Sequence, residues 1–498
     1  MISHTLSFAR KYWLYVVFIC LSLIPFFWHR NNLSYPYIGG GDFMSPIHIE
    51  ELLKRHFFVW EPLLWAGIDG SWYTSMLFPY YIFFYICSLS GLPSLISSLF
   101  FLSAILFVSQ CTMTCFLNYI LKKRLDVKCE PHKFLIFIGS VIYGFSPYVI
   151  GVIAPGHILN LVLVALFPYI LCLYDEILIA RRISIRTSFI LYVCFSLAIS
   201  GGSYGIGQIY LLGYILSAYW LITLLIERHN FVRSVLRFVW VFILLFISQG
   251  WWVIPLISTR GSLTTINPFN PLNFFLNIAT YSATIKNIFL GRADNIFYLF
   301  PQFKYYFSTP VTFLFIGLLC LSLLAVWKGQ KTKYIWILLG MLIFGVIMTK
   351  GNQPPFGDIF VYFYTYIPGF MTFRRPVSKF YWLFLLFYIA LAVYGGTLLN
   401  QYVKKKLYKQ IIIIMMLICS GYLIFAFIKT PFLGPFDIPP YYSGAKEYLY
   451  TDNATRILLL PGLYGQAPFF NSAVNGFGGT DFLDEAWGIP TVIPDDTN

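Results

Sequence analysis

The chain has 498 residues, with 34 Lys and Arg against 20 Asp and Glu, for a formal charge of +14. Hydrophobic residues make up 58% and charged residues 11%, and the mean hydropathy is +0.72. No water-soluble fold can hide that much apolar surface, so the solvent is lipid. The excess of positive charge forms no basic stripe with interleaved aromatics outside the apolar runs, which argues against a nucleic-acid partner.

A helix needs roughly 17–25 apolar residues to cross a bilayer. In chain order the candidate spans are 12–29, 95–120, 134–152, 158–179, 187–201, 205–226, 238–257, 310–327, 334–349, 380–400 and 411–428. The expected fold is an all-α polytopic membrane protein with about 11 transmembrane helices. Arg10 and Lys11 precede the first run and no small-residue cleavage pattern follows it, so that run reads as an uncleaved signal anchor. Alternate loops carry basic clusters: Arg10/Lys11, Lys122–Lys133, Arg181–Arg186, Arg228–Arg237, Lys328–Lys333 and Lys404–Lys409. Counted with the adjoining cytoplasmic ends of the spans, these stretches hold 20 of the 34 cations and only 5 of the 20 acids. The positive-inside rule then puts the N-terminus in the cytoplasm and the C-terminus outside the plasma membrane.

Four stretches are expected on the outer face: 30–94, 258–309, 350–379 and the tail 429–498. In the first, Ser45 and Pro46 suit the start of an amphipathic helix over 46–60. Its apolar face would be Ile49, Leu52, Leu53, Phe57 and Trp60, and its polar face Glu50, Glu51, Lys54 and Arg55. Residues 74–91 are apolar enough to cross, but crossing would invert every later loop. They read as a re-entrant or interfacial segment, with Pro79 and the turn Ser88–Gly91 as breaks. Residues 1–428 thus form the transmembrane domain. The tail, with strand-like Arg456–Leu460 and Gly/Pro punctuation, reads as a small α/β extracytoplasmic unit. It stops after Asp495–Asp496–Thr497–Asn498, as a truncated domain would. The nine cysteines lie in apolar segments or, as Cys129, in a basic loop, so neither a disulfide framework nor a zinc site is expected.

Three places could carry chemistry. Asp42 follows Gly39–Gly40–Gly41 just beyond the first span, where a lipid headgroup and a soluble substrate meet; the competing reading is a solvated turn residue. Arg374, Arg375 and Lys379 in FRRPVSKF are three cations on the side where cations are scarce. They suit a clamp on a lipid phosphate, or headgroup snorkelling. His157 in APGHILN could contact a sugar or phosphate, or simply cap or pack. No Walker loop, HExxH or GxSxG is present, and no span holds a central carboxylate of the kind an ion-coupled transporter uses.

The run GGGDFMSPIHIEELLKRHFFVWEPLLWAGIDGSWYTSMLFPYYIFFY resembles the first outer loop of GT-C glycosyltransferases. These are multi-span enzymes that use polyprenyl-phosphate-linked sugars. The likeness is nearest the arabinofuranosyltransferase D and YfhO-like membrane protein group. It rests on the order Asp42, Trp60–Glu61–Pro62, Leu77–Phe78–Pro79, and on PGHILNLVLVALFPYIL and FRRPVSKF. The resemblance implies a GT-C-like fold and a sugar donor on a polyprenyl phosphate, presented at the outer face. It also implies a glycan or lipid-linked acceptor deprotonated by Asp42, with Arg374, Arg375 and Lys379 on the leaving phosphate. His157, Glu50 and Glu51 are further candidate substrate contacts. No cofactor is firmly implied. A divalent metal is left open, since Asp42 lacks the acidic neighbour many GT-C members carry and hard cations want several oxygen ligands. The tail, at 70 residues, is too short for the large carbohydrate-binding regions of the arabinofuranosyltransferases, so arabinose is not carried over. Two other readings stand beside this one: a glycan polymerase of the O-antigen type, and a non-enzymatic flippase or transporter of lipid-linked glycans.

Overall fold

The computed structural model describes residues 13–31, 33–40, 43–44, 46, 49–50, 53, 60–61, 68–69, 71–127, 132–153, 157–180, 182–199, 205–227, 230–258, 281–292, 301–367, 369–403, 406–430, 434–436, 447–448, 457–458 and 491–492. Within them the chain is helical, apart from strand pieces of two to four residues.

The helices are α1 (Trp13–Trp28), α2 (Ser71–Leu89), α3 (Ser94–Tyr119), α4 (His132–Gly144), α5 (Pro147–Ile153), α6 (Asn160–Ile179), α7 (Ile185–Ala198), α8 (Gly205–Glu227) and α9 (Phe231–Ser258). The short α10 (Ile285–Phe289) follows, then α11 (Thr309–Gly329), α12 (Lys333–Lys350), α13 (Gly357–Tyr366), α14 (Pro376–Tyr402) and α15 (Lys406–Ile428). Eight of the eleven expected spans have crossing length and hydropathy. The other three, 12–29, 187–201 and 411–428, coincide with shorter apolar helices, Trp13–Trp28, Ile185–Ala198 and Ile414–Ile428. The chain is a multi-pass membrane protein, although helix length alone does not yield eleven spans. At 1.5 Å per residue α7 reaches only about 21 Å, short of a ~30 Å hydrocarbon core.

α14 lies at the centre. Its residues from Phe380 to Val393 are all 2% exposed or less, because it is apolar on every face and is wrapped by α11, α12 and α4. Two glycines allow that close wrapping. A Cβ on Gly395 would overlap the Leu321 carbonyl of α11, and one on Gly345 of α12 would come within 3.0 Å of the Phe384 Cα. Small residues at helix crossings are the usual means of tight packing in lipid. A second group joins α3, α4, α6 and α7. α6 contains Pro168, which cannot donate to the carbonyl of Val164. That carbonyl instead accepts from the Tyr143 hydroxyl of α4 at 2.9 Å.

Residues 71–89 form one helix that runs through Pro79, so the break expected there is absent. A single missing amide donor does not force a break. The helix stops at Leu89, the turn passes through Gly91 at φ +73°, and α3 returns against α2. The expected amphipathic helix needs a shorter C-terminus. Ile49 and Leu53 are helical and buried and Glu50 is exposed, as the pattern predicts, but Trp60 is not helical. Trp60–Glu61 (β3) pairs antiparallel with Ile68–Asp69 (β4), which draws Trp60 out of the helical register. Tyr37–Gly40 (β1) sits between Phe43–Met44 (β2) and Gly434–Phe436 (β5), antiparallel to both. In the tail, Ile457–Leu458 (β6) and Thr491–Val492 (β7) pair in parallel, and most other tail residues lie outside the described set.

At the end carrying the basic loops, α3 finishes in a π-helical turn, Ile120–Arg124. The Arg124 guanidinium reaches Asp175 of α6 at 3.1 Å and Glu227 of α8 at 2.5 Å. It also lies over the Tyr334 ring of α12, 4.3 Å from the centroid. Asp175, 1% exposed, accepts from Tyr119 at 2.6 Å and Tyr219 at 2.7 Å. Four helices are tied at one buried charge cluster.

Candidate functional site

The opposite end of the bundle holds FRRPVSKF. Its two arginines follow a 3-10 turn, Phe370–Phe373, and Pro376 then opens α14, since its ring suits a first helical position. The turn is fixed by aromatic packing. Phe373 is fully buried, with ring centroids 5.1 Å from Phe380 and 5.7 Å from Tyr214 of α8. Gly369 enters the turn at φ +77° with the Tyr210 ring against it. A Cβ there would come within 2.6 Å of that ring, so position 369 needs glycine on two counts.

Arg375 is half-buried, and its guanidinium stacks over the Tyr281 ring at 4.7 Å. The Val377 amide donates to the Tyr281 carbonyl at 3.2 Å, locking the two segments together. The Nε of Arg375 is buried and has no hydrogen-bond partner. A buried N–H donor left open beside a stacked guanidinium fits an anionic oxygen. Arg374 is exposed and lies near Tyr364 of α13. Burial pushes the Tyr364 phenol up to about 12, against the opposing pull of the Arg374 charge. Lys379, one turn into α14 and half-buried, is within electrostatic reach of both arginines. The structure therefore brings the three expected cations together.

His157 belongs to a turn at the same end. Its amide donates to the Val152 carbonyl at 3.0 Å, and its carbonyl accepts from the Asn160 amide at 3.0 Å. Two links join that turn to the basic one. Tyr148 of α5 donates to the Ser378 carbonyl at 2.8 Å. Asn160 accepts from Gln208 of α8 at 2.8 Å, and neighbouring Gly207 faces Thr372. Gln208 is 2% exposed with its Oε1 unpartnered, a buried acceptor that sequence reasoning passed over. Tyr281 was also missed; both are ordinary residues in apolar surroundings and carry no motif.

Asp42 and Glu51 lie outside the described residues, as does the expected cap Ser45. The strands bracketing Asp42 are described, with Gly40 opposite Phe43. They are held to the start of α3: the Leu95 amide donates to the Pro36 carbonyl at 2.9 Å, and Ser94 Oγ donates to that of Pro46 at 2.6 Å. Glu50 is exposed, and among the described residues it makes no ion pair. Among the described residues no three His, Cys, Asp or Glu side chains gather closely enough to hold a metal ion.

No protein-family profile and no curated protein matches the chain. Solved structures do. The cryo-EM structure of the arabinofuranosyltransferase AftD from Mycobacteria superposes at a TM-score of 0.65 with 18% identity, over 98% of this chain and 32% of that one. Two classes of an AftD mutant give 0.64 and 0.63 at 17% identity, over 98% of this chain and 33% of theirs. The chain thus has the fold of AftD, as its resemblance to that group implied, and spans about a third of AftD's length.

Proposed function

We propose that the chain is a membrane glycosyltransferase that moves a sugar from a polyprenyl-phosphate donor to a glycan or lipid-linked acceptor at the outer face of the cytoplasmic membrane. The observation that carries this reading is the AftD fold over 98% of the chain, with three cations gathered at one end of it.

In this scheme Asp42 removes the proton of the acceptor hydroxyl as its oxygen attacks the anomeric carbon. The bond from that carbon to the phosphate oxygen breaks, and its electron pair leaves with the lipid phosphate. Arg375 is stacked on Tyr281 with an open Nε donor, and with Arg374 and Lys379 it meets the negative charge growing on that phosphate. Preorganised cations act most strongly where charge develops in the transition state, and a placed base contributes about 100-fold or more. Glu50 and Glu51 stay candidates for the acceptor side, and His157 for the sugar or phosphate.

The test is deletion of the gene in its host, with mass spectrometry of surface glycans and lipid-linked intermediates. Complementation uses wild type or Asp42→Asn, matched for membrane level. The expected result is loss of one sugar unit, accumulation of a lipid-phosphate sugar, and rescue by wild type only. Full rescue by Asp42→Asn would remove the base and the mechanism with it.

A further inference from the structure

The first and last apolar helices, α1 and α15, end side by side. The Trp28 indole stacks on Phe427 at 4.9 Å and donates its N–H to the Phe427 carbonyl at 3.2 Å. Beside this contact is a cleft of about 470 Å³ lined by Ile24, Phe27, Trp28, Arg30, Asn31, Ile428 and Lys429. Its chemistry is divided. Phe27 and Ile428 are exposed apolar surface over a buried Ile24, and such surface gains nothing from a water-borne anion. Arg30, Asn31 and Lys429 are exposed donors at the helix ends. Among the described residues neither Arg30 nor Lys429 is in an ion pair. Both helices begin near a basic stretch, so these two cations stand at the opposite ends.

We propose that this cleft binds a lipid whose phosphate headgroup carries net negative charge, with Arg30, Lys429 and Asn31 on the phosphate oxygens and the hydrocarbon chain along Phe27 and Ile428. Guanidinium and ammonium groups at one mouth match a phosphate by charge and donor geometry. The apolar wall favours a ligand with a hydrocarbon tail over a free anion. The cleft is built on elements other than the one carrying Arg374, Arg375 and Lys379, and the inference does not depend on the proposed transfer reaction.

The test is native mass spectrometry of the full chain in neutral detergent, with phosphatidylglycerol or phosphatidylcholine added at equal concentration. Wild type is expected to retain one phosphatidylglycerol with a preference of about tenfold, the size of one charge-assisted contact. R30Q/K429Q should lose that preference with helix content and melting unchanged, because both side chains are exposed. Ile428→Trp, which fills the cleft and leaves the charge alone, should lose the lipid itself. A further arm adds farnesyl phosphate. Displacement of phosphatidylglycerol assigns the site to an isoprenoid phosphate and persistence assigns it to a glycerophospholipid; both uphold a lipid-phosphate site. Equal retention of the two phospholipids by wild type needs no variant to interpret and overturns the proposal. An unchanged preference in R30Q/K429Q, or full retention by Ile428→Trp, overturns it as well.

Discussion

His29, just past α1, is 2% exposed, and neither ring nitrogen has a hydrogen-bond partner. A buried polar ring without a partner costs about 1–3 kcal/mol. His29→Leu is therefore expected to raise the denaturant midpoint in detergent with an unchanged slope. At this scale the sequence was most legible where charge was unusual. Arg374, Arg375 and Lys379 stood out against the charge bias, and the structure gathers them. His29 did not stand out, because an imidazole becomes costly only once three dimensions remove its water.

Pro168 and Gly395 show how an element meets its neighbours. Removing the hydroxyl in Tyr143→Phe leaves the Val164 carbonyl buried and unpaired, next to a proline that cannot serve it. The expected cost is about 1 kcal/mol, at the scale measured for hydrogen bonds between membrane helices. It should be read as a lower denaturant midpoint with an unchanged slope. Gly395→Ala would push a methyl group into the Leu321 carbonyl and force α14 away from α11. A destabilisation on the order of 3 kcal/mol is expected, seen as lower yield and melting temperature in detergent. Helix positions were legible because an apolar run long enough to cross lipid has few other fates. Segment 74–91 was misread as broken at Pro79 because a missing amide donor weakens a helix without having to end it. β1, β2 and β5 were invisible, since strands of two to four residues carry no periodicity to read.

On the scale of the molecule, the Arg124 cluster is the counterpart of the basic turn at the other end. It joins α3, α6, α8 and α12 where four helix ends must be kept in register. Arg124→Ala leaves Asp175 and Glu227 without their shared cation, and a loss of about 3 kcal/mol is expected. Replacing all three charged residues by apolar ones should recover much of that loss, which a double- and triple-variant unfolding series measures. That Asp175 and Glu227 share one arginine is visible only in the folded bundle.

The pairing of β1 with β5 has a consequence for biogenesis. The two strands lie almost 400 residues apart, and Ile38 faces Pro435. A chain emerging from the ribosome inserts α1 early, yet β1 keeps an open edge until α15 has been threaded and the segment after it has been released on the far side. The three-stranded sheet that holds β1 and β2 is therefore completed only after α15 is in place. Nascent and partly inserted chains then lack this completed sheet, so its closure waits on the insertion of α15.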